Sequence, residues 1–269
     1  MNIGVTLPVY HANELHAGFT KQTIESLRSE KHDLHVVVVV NYSTENLYPC
    51  KENFKLHDSV KFIEFVDNTQ GNHVGAAWNQ GIKNLLEKSD YIIVPNNDII
   101  FQPEAVDELV RFAEEHPEFV MWTGSEYTNL RAIKVVKAED FDESFDEHPH
   151  FSCFMIKPGT IEKVGWFDEK LKMAYHEDGD YHYRILLSGN KAAKTNRAKF
   201  YHYGSRTIKV DDDIFATNRR TYEENRQYIH KKWNTDFHDK AYHPPEDILK
   251  EKDIFKHPFN DKNHDWRYW

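Results

Sequence analysis

Cysteine is scarce in this chain of 269 residues: there are two, Cys50 and Cys153. A fold organised by disulfides is not expected from so few. Long apolar runs are missing as well. The longest aliphatic run, Val36–Val40, is far too short to cross a bilayer. The opening "MNIGVTLPVY" enters a strand pattern with no charged leader and apolar segment before it. The expectation is a cytoplasmic protein with no transmembrane segment. A glycosylation sequon, "NYS" at Asn41–Ser43, is discounted on that ground. Positive charge is in deficit, with 34 Lys and Arg against 44 Asp and Glu and a formal charge of −10. That balance argues against a protein that holds nucleic acid by neutralising its phosphates. Glycine is absent from residues 234–269.

What is present is globular composition, with 39% apolar residues and enough length for a sizeable core. The first half alternates short apolar runs with helical patterns. "NIGVTLPVY", "LHVVVVVN", "VKFIEFVD", "DYIIVPNND" and "FVMWTG" read as strands. Residues 11–30, "NHVGAAWNQGIKNLLEKS" and "PEAVDELVRFAEEHP" read as helices. The second strand is apolar throughout, as a strand covered on both faces must be. Strand–helix alternation predicts a mostly parallel sheet with right-handed crossovers. Ligands of such sheets bind beyond the carboxyl ends of the strands. The segments to inspect are therefore Pro8–Tyr10, Asn41–Ser43, Asp67–Gly71 and Asn96–Asp98.

Residues 124–150 are polar and acidic and read as a long loop. "FSCFMIK" reads as a strand, "PGTIEKVG" as a short helix, and "HEDGDYHYRILLSG" as a loop entering another helix. "AKFYHYGSRT" reads as a strand with its exit, and 213–233 as a long polar helix.

The order of these pieces carries a resemblance. "PVY" comes first, then a Val-rich strand with a polar end, a fourth strand ending Asn-x-Asp, "GWFDE", "HEDGDYHYRILLSG", "YHYGS" and a helix ending "KKW". Over residues 3–233 the chain resembles a family-two glycosyltransferase of the GT-A fold. The resemblance implies a Rossmann-like three-layer α/β/α domain over 1–205. A C-terminal helical extension with an aromatic tail, 206–269, would pack on it. It implies transfer of one sugar, hexosyl or deoxyhexosyl, from a nucleotide-diphosphate sugar to a hydroxyl acceptor, with UDP favoured. The acceptor would be a carbohydrate or another hydroxyl compound, with nucleic acid expected only as a modified acceptor. The Q-x-x-R-W motif and membrane helices of the processive synthases do not occur.

In the family the fourth strand ends Asp-x-Asp and holds a divalent ion, Mn2+ or Mg2+, that offsets charge on the departing diphosphate. Asn96 replaces the first Asp here and Asp98 remains, with Asn97 between them. Asn41 stands where the family usually carries an Asp that pairs with the base; its amide offers a donor and an acceptor. Pro8 and Tyr10 match the stretch lining the nucleoside, with Tyr10 a candidate to stack on the base. Gly71, Gly75 and Asn79 match the segment after the third strand. His202 matches a late His that completes the metal site or meets phosphate. Glu177 and Asp178 match the family's acid pair. Asp178 is the candidate general base, Glu177 would orient the acceptor or loop, and Asp180 is a further candidate on the acceptor side. Trp166 is a candidate to stack on an acceptor sugar.

Each of these has a plainer alternative. Asn96–Asp98 would serve as a strand-end turn, the acids as a helix N-terminus favoured by the macrodipole, and Trp166 as a core residue. Two other functions remain open at this point. A nucleotidyltransferase would open with a Gly-rich, basic phosphate loop after the first strand, and "LPVYHANELHAG" has none. A non-catalytic carbohydrate-binding module is kept open by Asn41 and Asn96. The tail is a candidate to pack on the body, cover the acceptor, or join two copies as a homodimer.

Overall fold

The computed structural model describes residues 1–69, 73–204 and 212–233. Nine strands form one sheet in the order β3-β2-β1-β4-β8-β6-β9-β5, with β7 paired to β9. Their ranges are β1 Asn2–His11, β2 Asp33–Ser43, β3 Val60–Asp67, β4 Tyr91–Pro95, β5 Ile99–Phe101, β6 Met121–Glu126, β7 Phe145–Asp146, β8 Cys153–Ile156 and β9 Ala192–His202. The pairs β2–β3, β1–β2 and β1–β4 are parallel, as the strand–helix alternation predicts. β8 then inserts antiparallel between β4 and β6, and β9 runs parallel to β6. The sheet is therefore mixed in its second half, because its order departs from chain order there.

The six helices among the described residues are α1 Glu14–Ser26, α2 Val74–Leu85, α3 Ala105–Glu115, α4 Pro158–Val164, α5 Glu177–Leu187 and α6 Asp212–Trp233. Side chains of a strand alternate between faces, and β2 shows the consequence. Val36, Val38 and Val40 enter one core with Ile24 of α1 and Leu109 of α3. Val37 and Val39 enter the other with Ala77 and Ile82 of α2 and Tyr181 of α5. A run of five valines, Val36–Val40, suits a strand covered on both sides. The first helix is shorter than residues 11–30, since β1 continues to His11 and Asn13 caps α1 by accepting from His16 N.

Helix α2 lies close on the sheet. A Cβ on Gly81 would stand 1.8 Å from Thr6 Oγ1 of β1, so only glycine permits that approach. Its N-terminus consequently reaches the carboxyl end of β1 and β4, where the candidate site lies. The acidic stretch 124–150 is largely exposed and carries β7 and one short 3-10 turn, Ala138–Asp140. Helix α6 packs on α5 through Tyr183, Leu187, Ile229 and Trp233. No helix among the described residues is long and apolar enough to cross a membrane.

Candidate active site

A cleft of about 480 Å3 opens at the carboxyl ends of β1, β2 and β4, within the usual size range of small-molecule sites. It is lined by Pro8, Val9, Tyr10 and Asn41, by the turn Asn96–Asp98, and by Tyr175, Glu177 and Asp178. Asp98 and Asp178 thus share one cavity.

The side chains of Tyr10 and Asn41 are held by their neighbours. The Tyr10 ring stacks on Tyr42 at 4.9 Å between centroids and sits edge-on to His16. Asn68 Nδ2 donates to Asn41 Oδ1 at 2.6 Å, tying the ends of β2 and β3 together. The Asn97 amide nitrogen donates to Thr20 Oγ1 of α1 at 3.1 Å. Thr20 also meets His11 Nε2 at 2.8 Å. Backbone Asn96 N donates to Ser152 O, so the turn is fixed by the strand pairing beside it.

Asp98 is 4% exposed. His202, at the end of β9, places Nε2 3.2 Å from Asp98 Oδ1 and Nδ1 2.8 Å from Glu126 Oε1. His150 Nε2 lies 3.3 Å from the same Glu126 oxygen. Burial alone would lower the His202 pKa, but the Asp98 and Glu126 carboxylates outweigh it and hold the pKa above the ordinary value. Burial lowers that of His150, with Glu126 opposing and His202 adding to the shift. The His202 Nε2 atom is buried beside Asp98. A carboxylate oxygen and an imidazole nitrogen side by side suit a divalent cation. Among the described residues no three His, Cys, Asp or Glu side chains cluster as a complete ligand set. A cation held by Asp98 and His202 would therefore need further ligands from outside these two side chains.

Helix α5 begins at Glu177 with His176 as a left-handed N-cap at φ 76°. Asp178 is half-buried and Glu177 buried. Burial first, and the neighbouring Asp178 second, push the Glu177 carboxyl up to about 8. Burial thus favours the protonated form of Glu177.

Four predicted residues lie elsewhere. Asp180 is fully buried, with Arg184 Nη2 at 3.0 Å, Lys232 Nζ at 2.7 Å and Trp233 Nε1 at 2.9 Å. It points into the α5–α6 interface, because one residue pair along a helix turns a side chain to the opposite face. Asn79 is buried and bonds Phe167 N and O and Glu169, bracing the loop before α5. Trp166 packs on the second core and its carbonyl accepts from Arg184 Nη1; of the described residues lining the cleft it is not one. Gly75 sits against Asp168 O and the Glu177 Cβ rather than on the cleft. Gly71 lies outside the described residues, as does the tail proposed for pairing copies. Glu126, Ser152, Tyr175, Ile214 and Asn218 were not foreseen. The strand read as "FVMWTG" runs on to Glu126, which the sequence had placed in the 124–150 loop; Ile214 and Asn218 reach the cleft only by the docking of α6.

Fold and cleft together define a GT-A glycosyltransferase architecture. The sequence model of Glycosyl transferase family 2 matches residues 5–171, more than half of the chain, and the protein belongs to that family. A "Galactofuranosyl glycosyltransferase" of Leishmania donovani is 21% identical over 199 residues, covering 57% of this chain and 45% of that protein. The chain thus spans less than half the length of that relative. Among solved structures, S. aureus TarS superposes with TM-score 0.57 at 16% identity, over 94% of this chain and 70% of that one. The mannosyltransferase PcManGT from Pyrobaculum calidifontis, in complex with GDP-Man and Mn2+, gives 0.56 at 14% identity, over 93% and 68%. At such identities the likeness is one of fold.

Proposed function

We propose that the cleft transfers one sugar from a nucleotide-diphosphate sugar to a hydroxyl acceptor with inversion. The observation that carries this reading is the shared cavity of Asp98 and Asp178, lined by a cation-compatible pair and an acid pair. The nucleoside lies against Pro8, Tyr10 and Asn41, and UDP is the favoured carrier. Asp98 and His202 are the residues that would hold a divalent cation, Mn2+ or Mg2+, which when bound offsets negative charge on the diphosphate.

Asp178 acts as general base. The acceptor oxygen forms its bond to the anomeric carbon from the face opposite the diphosphate, while its proton passes to the Asp178 carboxylate. The bond from anomeric carbon to phosphate oxygen breaks, and the diphosphate leaves with the electron pair. An alcohol attacks poorly unless its proton is taken as the bond forms. Burial favours the protonated form of Glu177, so it serves as a hydrogen-bond donor beside the base rather than as the base. Asp180, occupied by Lys232 and Arg184, has no part in the proposed transfer.

A thermal-shift screen of nucleotide diphosphates and their sugars, with and without manganese, tests the reading, since a ligand stabilises the state it binds. Stabilisation by a UDP-sugar, enhanced by manganese, is expected. Absence of a shift with every nucleotide would overturn it.

A further inference from the structure

Three side chains that are not glycine adopt positive φ among the described residues: Met173 at 54°, Tyr175 at 80° and His176 at 76°. All belong to the strap 171–176 that leads into α5, and left-handed backbone is disfavoured for bulky residues. Such a strap forms neither helix nor strand, so its amides and carbonyls need partners from elsewhere. Much of that requirement is met by one side chain of α6. Asn225 Oδ1 accepts from Lys172 N at 2.9 Å, and its Nδ2 donates to Lys172 O at 2.8 Å and Tyr175 O at 3.2 Å. Asn225 is 2% exposed. A primary amide both donates and accepts, which lets it stand in for a neighbouring peptide.

The strap is gripped from its other side as well. Met173 N donates to His73 Nδ1 at 2.9 Å, and Val74 N donates to Met173 O at 2.8 Å. Further along α6, Lys232 Nζ lies 2.7 Å from both Asp168 and Asp180, and Tyr228 OH donates to Asp168 Oδ2. Asn225, Tyr228 and Lys232 recur at helical spacing on one face of α6. Met173 and Tyr175 of the strap, and Glu177 and Asp178 directly after it, all line the cleft.

We propose that Asn225 is a positioning residue of the transfer: its amide clamps the left-handed strap so that Asp178 meets the acceptor on the correct face. The inference rests on the reading of Asp178 as general base. Asn225 touches neither donor nor acceptor, so its loss changes the base geometry and leaves the nucleotide wall intact.

The test compares wild type, Asn225→Ala, the milder Asn225→Ser and the surface control Glu224→Gln, whose partner Lys172 belongs to the same strap. Expected for both Asn225 variants is a kcat about 10- to 100-fold lower per folded molecule, the scale of a misplaced catalytic group. The Kd for UDP should stay within about twofold, and amide exchange should rise over 173–179. Glu224→Gln should match wild type. A purely structural role would lower the melting temperature while kcat per folded molecule stayed unchanged, and that result overturns the proposal. An equal loss in UDP affinity and kcat overturns it too. Should wild type itself transfer no sugar, the functional reading fails separately. The clamp is then judged by exchange alone, and unchanged protection over 173–179 in both variants refutes it.

Discussion

His202 connects Asp98 to Glu126: its Nε2 stands 3.2 Å from Asp98 Oδ1 and its Nδ1 2.8 Å from Glu126 Oε1. The contact joins the end of β9 to the turn after β4 and the end of β6. It turns two strand ends into one potential cation seat. Replacing Asp98 with Ala is expected to lower donor turnover by about a hundredfold or more, as loss of a principal electrostatic group does. A chelator should lower wild-type turnover, and added manganese should restore it. Initial-rate assays check both. Rates untouched by chelator would remove the metal from the mechanism.

Asp178→Asn should cut kcat by about 10²- to 10⁴-fold, the usual contribution of a general base. Donor affinity, read by calorimetry, should hold, because the role proposed for the carboxylate is to take the acceptor's proton rather than to bind the nucleotide. Equal losses in kcat and donor affinity would make Asp178 a structural acid.

Glu177 gives a pH signature. Burial raises its carboxyl from 4.5 in the unfolded chain to about 8. A raised carboxyl contributes fully below the unfolded value, and that contribution fades as pH climbs through the folded value. The melting temperature of wild type relative to Glu177→Gln should therefore fall between pH 4.5 and about 8. Above that window the variant should be the more stable of the two. Parallel melting curves across this range would show that Glu177 stays ionised.

Asn79 offers a control on the site's boundary. Its amide bonds Phe167 N and O with both ends buried, so Asn79→Ala should cost about 1–3 kcal/mol of stability through unpaired backbone groups. The Kd for UDP should be unaffected. Denaturant titration and calorimetry separate the two outcomes, and a selective loss of UDP binding would return Asn79 to the donor site.

Legibility differed from one residue to the next. The turn at Asn96–Asp98 was visible because an apolar strand stopped on polar side chains, and strand ends are where such sheets bind ligands. Glu177 and Asp178 were visible because adjacent acids opened a helix. Asp180 was read as a further candidate, and nothing local revealed that Lys232, far along the chain, neutralises it. Trp166 carried the same ambiguity, since an indole suits a sugar face and a core alike. Glu126 and Asn225 had no local signature: one ends a strand, the other sits on a polar helix.

By itself, the order of residues determined most strands and helices, the two-sided covering of β2 and the family; the short β5 and β7 were not legible in it. The legible features follow from periodicity and from residues adjacent in the chain, which act over a few ångströms of backbone. Only the tertiary structure decided which acids face the cleft, which carboxylate is consumed by a buried lysine, and that α6 grips the strap before α5. Those outcomes depend on partners brought together by packing, and a side chain's charge and hydrogen bonds take their meaning from whichever groups it meets there.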